Sequence, residues 1–186
     1  MSCPAVETFA SDRRLLDAGL ELTGHRFIPY KATLFNKTGK ANWLVAWHQD
    51  VALPVESEFE ADGWGPFTRK AGIIYGHAPT EVLHNVLALR IHLDASTSAN
   101  GPLRVIAGSH KKRLANDAEF NQVVRNVAPV ELTVGRGGVI AMSPLLVHAS
   151  SKCAADQPRR VLHIEYAVSR DIGPGVRLAL LVGRRM

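Results

Sequence analysis

Disulfide chemistry is the first thing this sequence lacks: its 186 residues hold two cysteines, Cys3 and Cys153, too few for a cross-linked framework. A reducing, cytoplasmic setting is therefore expected. No C-x-x-C accompanies either thiol, so Cys153 reads as a stray turn residue rather than a metal ligand. No apolar run approaches the ~20 residues needed to cross a bilayer, and no membrane partner is expected. The start, Met-Ser-Cys-Pro-Ala-Val-Glu, has no basic flank ahead of an apolar core, so no signal peptide is expected. The charge excess of +5, with a pI near 9.5, is scattered in small clusters at Lys111-Lys112-Arg113, Arg159-Arg160 and Arg184-Arg185. No basic stripe is interleaved with aromatics, which argues against nucleic acid. Internal repeats and composition breaks are absent too, so residues 1–186 read as a single domain. A chain of that length buries roughly two-thirds of its unfolded surface.

What is present is a succession of short strands. Leu15, Leu16, Leu20 and Leu22 among charged residues predict one short helix over 8–23, with Ser11-Asp12 as its cap. Strands are expected at 27–35, 42–50, 86–93, 103–107, 130–134, 139–150 and 161–168, with a last apolar piece at 178–182. Turns are expected at Thr38-Gly39-Lys40 and at Gly135-Arg136-Gly137-Gly138. Residues 54–79, rich in Gly, Pro and acidic residues, read as one long functional loop around Trp64. Residues 111–122 read as an irregular or helical excursion. No β-α-β alternation points to a parallel sheet. The fold class is mainly β, a sandwich or barrel with a little helix at the front.

Within that frame one triplet carries chemistry. In Trp47-His48-Gln49-Asp50, a strand would send His48 and Asp50 to one face and Gln49 to the other. Two histidines and one carboxylate make the facial triad of non-haem Fe(II) sites, so a second histidine is needed. His148 is the downstream candidate. If 139–150 and 159–168 form a hairpin through 152–158, His148 and Arg159 lie equidistant from the turn and face each other. A guanidinium there suits bidentate recognition of a carboxylate that chelates the metal at its other end. Ser150, two residues past His148, would add a hydroxyl donor.

These stretches, together with Leu34-Phe35-Asn36-Lys37, Asn42-Trp43, Leu93-Asp94 and Asn100-Gly101-Pro102-Leu103 through Gly108-Ser109-His110, resemble the phytanoyl-CoA dioxygenase family. The resemblance covers about residues 27–166. It implies a double-stranded β-helix of the jelly-roll, cupin-like kind, with Fe(II), 2-oxoglutarate and O2 as metal, co-substrate and oxidant. It also implies His48, Asp50 and His148 as iron ligands and as the catalytic centre. Arg159 would bind the distal carboxylate of 2-oxoglutarate with help from Ser150, and Lys31 and Thr33 would line the same pocket. The implied reaction hydroxylates an unactivated C–H bond of a small molecule and releases succinate and CO2. Related halogenases carry a small residue in place of the carboxylate, so Asp50 favours hydroxylation. The segment before Phe27 is shorter than members often carry, which is expected to leave substrate less enclosed, and Ala107 stands where proline is usual.

A catalytically idle β-helix protein binding metal or ligand is the alternative to an enzyme. His110 reads as a loop cap, and His84, His92 and His163 as surface or satisfied core positions. His25 and His77 carry no signal. Trp43 and Trp47 read as core, and Trp64 as the better substrate contact. Arg160 competes with Arg159 for the interior, and the hairpin arithmetic chooses Arg159.

Overall fold

In the computed structural model, residues 3–38, 43–153 and 158–182 are described. The expected turn at Gly39-Lys40, the strand start at Asn42, the heart of the 152–158 connection and the Arg184-Arg185 cluster lie outside them.

Two helices open the chain where one was expected: α1 (Pro4–Ala10) and α2 (Arg13–Thr23). Asp12 separates them because its side chain accepts from the Arg14 N–H and so starts a new helix, while Gly24 ends it in the left-handed region. Gly19 leaves room for the Phe27 ring, which a Cβ would meet at 3.2 Å.

Among the described residues the strands form two four-stranded sheets and two smaller ones. The first follows the order β1 (Ile28–Lys37), β11 (Arg159–Ala167), β6 (Val86–His92), β9 (Val139–Met142). The second follows the order β2 (Val45–His48), β10 (His148–Ser150), β7 (Leu103–Val105), β8 (Val130–Leu132). This non-sequential order is that of a double-stranded β-helix, as expected. A pair β12 (Asp171–Gly173) and β13 (Val176–Arg177) follows near the end. Short helices α3 (Thr80–Leu83) and α4 (Asp117–Asn126) complete the elements.

By contacts the chain divides into two compact units: residues 1–32, 51–89 and 164–186, and residues 33–50 and 90–163. The first holds a core that includes Tyr30, Leu53, Leu83 and Tyr166. The second holds a cluster of Ile106, Leu114 and Val147, with Trp47 and the α4 residues Phe120, Val123 and Val124 packed on it.

Two expectations are corrected. Residues 54–79 are not one loop: β3 (Ala52–Val55), β4 (Phe67–Lys70) and β5 (Ile73–His77) form an antiparallel sheet. The β4–β5 hairpin turns through Ala71 and Gly72, both at positive φ, the geometry that a tight two-residue turn requires. The averaged Gly, Pro and acidic composition hid that turn. Residues 139–150 are not one strand either. Ser143 and Pro144 interrupt them, and β9 and β10 belong to different sheets.

Candidate metal centre

The site is assembled wholly within the second unit. His48 ends β2, and His148 opens β10 directly opposite it in the antiparallel register. Their rings lie 4.1 Å apart, centroid to centroid. The register then slips by one residue, His148 to His48 but Ser150 to Val45, so β2 carries a bulge just before the triad. Such a bulge bends a strand and re-aims its side chains.

Asp50 lies beyond the end of β2, not on it as the triplet reading assumed. Its position comes from its N–H donating to the Pro144 carbonyl at 2.8 Å. Gln49 turns inward and is held there by hydrogen bonds. Its amide donates to the carbonyls of Leu145 and Lys112 and accepts from the Leu114 N–H. That cross-brace ties the 143–147 turn to the strand bearing His48. On the other side, Gly101 adopts a left-handed φ, and a Cβ there would run into the Ser151 carbonyl.

The donor chemistry fits one metal ion. Nδ1 of His48 lies 2.8 Å from the Ala46 carbonyl, and Nδ1 of His148 lies 2.8 Å from the Leu146 carbonyl. Each Nδ1 must carry the hydrogen, because a carbonyl only accepts, so each Nε2 keeps its lone pair. Both Nε2 atoms point at Asp50, 3.5 Å from Oδ1 and Oδ2 respectively. One ligand atom from each of the three residues lies within 4.8 Å of the others. Atoms bonded at about 2.1 Å to a common ion at right angles sit about 3 Å apart, so small shifts bring all three onto one metal. Burial works against the charge of Asp50, yet the His48 hydrogen bond and the two imidazoles outweigh it and hold the carboxyl well below the usual range. Burial pushes His148 down; it opposes His48 too, where the Asp50 contact prevails and raises the group.

Arg159 is 3% exposed at the start of β11, whereas Arg160 is exposed and held by Asp94. The reason first given for choosing Arg159 is corrected, however. β10 pairs with β2 and β7, while β11 lies between β1 and β6, so His148 and Arg159 are not cross-strand partners. They belong to two sheets, and the break at Pro144 carries the chain between those sheets. Arg159 Nε and Nη1 are buried with no hydrogen-bond partner among the described residues. Such orphaned charged donors are costly unless a ligand completes them.

Ser150 is buried two residues past His148, and its hydroxyl lies 3.1 Å from Lys37 Nζ. Lys37 is wholly buried at the end of β1. It also donates to the Ser151 carbonyl at 2.6 Å and lies 5.4 Å from the Trp43 ring. Burial and the neighbouring Arg159 lower its pKa to about 8. Sequence reasoning passed over Lys37 and named Lys31 and Thr33 instead; Lys31 pairs with Glu165 at 2.7 Å. The only signal for Lys37 was its place in the Leu34-Phe35-Asn36-Lys37 stretch, which gives no direction for the side chain.

Two more residues were missed. Arg90 and His92 share one face of β6, inside an otherwise apolar and fully buried strand. His92 has neither ring nitrogen hydrogen-bonded, and burial, with Arg90 and Arg159 nearby, lowers its pKa to about 4. His110, in an exposed turn, stands outside the ligand cluster. Trp47 packs in the core as expected, while Trp43 is 38% exposed, contrary to expectation, because Lys37 rather than the core receives its ring. Trp64 packs edge-on to Phe59 at 5.1 Å.

The chain resembles several solved structures. AviO1 from Streptomyces viridochromogenes Tue57 is 25% identical, with 88% of this chain and 61% of that one covered at a TM-score of 0.63. EvdMO1 is 26% identical, with coverages of 86% and 32% and a TM-score of 0.62. EctD from S. alaskensis, solved with 2-oxoglutarate and 5-hydroxyectoine, is 21% identical, with coverages of 98% and 60% and a TM-score of 0.65. The chain thus spans between about a third and three-fifths of the length of these proteins. No curated protein is similar enough to count as a match. Among the described residues, no helix is long and apolar enough to cross a membrane. The family model for phytanoyl-CoA dioxygenase (PhyH) matches residues 5–161, most of the sequence, and the chain belongs to that family.

Proposed function

We propose that this protein is a non-haem Fe(II)- and 2-oxoglutarate-dependent dioxygenase that hydroxylates an unactivated C–H bond of a small-molecule metabolite. Residues 1–186 act in this reading as one oxygenase domain. His48, Asp50 and His148 hold the iron, and Arg159, Ser150 and Lys37 take the distal carboxylate of 2-oxoglutarate. With O2, the bound Fe(II) and 2-oxoglutarate supply the oxidising power, and succinate and CO2 are released.

The chain's own part is to bind and orient. The Ala46 and Leu146 carbonyls hold both imidazoles in the tautomer whose Nε2 is free to ligate. Asp50, ionised across the neutral range, supplies the charge that a divalent ion needs. Burial of Arg159, Lys37 and Ser150 keeps water from competing for an incoming carboxylate. The presence of Asp50 supports hydroxylation over halogenation. A reducing cytoplasm suits a ferrous site.

The observation that carries this reading is the joint one: a complete donor triad and, in the same unit, a buried guanidinium with two orphaned donors. Family membership supports it, as does EctD, a structural neighbour solved with bound Fe and with 2-oxoglutarate. Anaerobic addition of Fe(II) and 2-oxoglutarate should produce a weak visible charge-transfer band. Arg159→Ala should weaken 2-oxoglutarate binding by roughly 2–5 kcal/mol, since it removes one partner of a buried charge pair. A metal-loaded protein with no band, and no response to that substitution, would sink the proposal. Binding without any succinate production, with or without candidate substrates, would instead mark an idle metal-binding protein.

A further inference from the structure

Among the described residues, three buried cations, Lys37, Arg159 and Arg90, share the second unit with the ligand triad, and the reading above brings an anion to only two of them. Lys37 and Arg159 share the distal carboxylate of the co-substrate. Arg90 has none. It sits on β6, 6% exposed, and one of its five N–H donors is used: Nη1 lies 3.2 Å from His163 Nδ1. Its Nε is buried without a partner among the described residues. The guanidinium carbon lies 5.3 Å from the Phe35 ring centroid, and Phe35 meets the His163 ring edge-on at 5.8 Å. Two aromatic rings thus hold the guanidinium while leaving most of its donors unspent.

A buried, nearly unpaired guanidinium is among the more costly groups a core can hold. Burial and Arg159 lower its pKa to about 10, and Asp50 alone opposes the shift. Asp50 cannot serve as its counter-ion in the loaded site, because that carboxylate is set among the metal donors with His48 and His148. The charge count of the loaded site makes the same point. A divalent ion is balanced by Asp50 and the metal-binding carboxylate of 2-oxoglutarate, and the distal carboxylate meets Arg159 and Lys37. One positive charge is left over at that pair and a second at Arg90, which no anion in the count meets.

We propose that Arg90 is the anchor for a second carboxylate, and that the molecule oxidised by this protein is a carboxylic acid held by that group. The assignment rests on the oxygenase reading. One guanidinium calls for one negative charge, and its planar fork matches a carboxylate in two parallel hydrogen bonds. A phosphate dianion would overcompensate it. The metal-binding carboxylate of 2-oxoglutarate is the other source of the same chemistry, so the test must separate the two.

Fe(II)-loaded protein, kept anaerobic with saturating 2-oxoglutarate, is titrated calorimetrically with acetate, with phenylacetate and with inorganic phosphate. The monocarboxylates should bind wild type in preference to phosphate and bind Arg90→Met at least about tenfold more weakly, as expected for a lost charge-assisted pair. Arg90→Lys should retain part of the affinity, and circular dichroism should show both variants folded. The 2-oxoglutarate affinity read from the visible band should be unchanged in Arg90→Met. Equal monocarboxylate binding in wild type and Arg90→Met would overturn the proposal. So would the absence of monocarboxylate binding to wild type, or a tenfold loss of 2-oxoglutarate affinity in Arg90→Met, which would give Arg90 to the co-substrate. If wild type takes up neither Fe(II) nor 2-oxoglutarate, the oxygenase reading fails instead. The same titration of metal-free protein then tests Arg90 alone, and equal binding by wild type and variant overturns its role.

Discussion

The two four-stranded sheets divide the chemistry of the second unit between them. The β2-β10-β7-β8 sheet supplies both histidines of the triad, with Asp50 just past the end of β2, and its polar groups answer one another. Each imidazole has a carbonyl behind it and a carboxylate before it. The β1-β11-β6-β9 sheet supplies Lys37, Arg90, His92 and Arg159; Arg159 disfavours the charged form of the other three, and Arg90, His92 and Arg159 keep buried nitrogens without partners among the described residues. On the proposed reading, the difference teaches that a metal site can be prepared by its own hydrogen bonds, whereas an anion site is prepared by withholding them.

Breaking the self-sufficient side should have the largest effect. Asp50→Ala removes the one carboxylate of the donor cluster found among the described residues and, on the proposed reading, should weaken Fe(II) binding by more than about a hundredfold, beyond what a lost supporting group costs. Metal analysis of anaerobically loaded protein checks this. Metal retained at wild-type levels would mean that the donors sit elsewhere.

On the cationic side, His92 should show the cost of withheld partners. Its folded pKa of about 4 lies below the ordinary 6.5, so between those values the unfolded chain binds the proton that the folded one refuses. Stability of the metal-free protein should therefore fall as pH drops from 6.5 through 4, by about 3 kcal/mol at most. Denaturant titrations of His92→Leu should lose that component of the slope, and at neutral pH the variant should be no less stable than wild type.

Lys37 makes the matching case at alkaline pH. Its pKa of about 8 lies below 10.5, so stability should rise as pH passes from 8 to 10.5, and Lys37→Met should flatten the rise. The same variant should bind 2-oxoglutarate more weakly. An unchanged affinity would confine Lys37 to holding Ser150 and the Ser151 carbonyl.

Trp43→Ala should do least. Its half-exposed ring offers Lys37 a cation–π contact of about 0.5–1 kcal/mol, and thermal unfolding should register little more.

The chemistry was legible in the chain as an ordered set of residue types. His48, Asp50, His148, Ser150 and Arg159 could be named from spacing and family resemblance, and the structure brings the first three within reach of one ion. The reasoning that linked His148 to Arg159 was wrong even though both are buried, because Pro144 splits what periodicity reads as one strand. Lys37, Arg90 and His92 went unseen for another reason. A lone cation or imidazole in an apolar run looks like a satisfied core position until its neighbours are known.

By itself, then, the sequence determined the inventory: short strands of a mainly β fold, an H-x-D triplet with a later histidine, and a guanidinium near a turn. The strands follow from local alternation, which needs no distant partner; the β-helix and the ligand roles came from the family resemblance. Only the tertiary structure decided which sheet each group stands on and which donors are left unpaired. Pairing across sheets depends on contacts between residues far apart in the chain, as when Lys37 reaches Ser150. Charge left without a partner in a buried place can be recognised only once every neighbour has been placed around it.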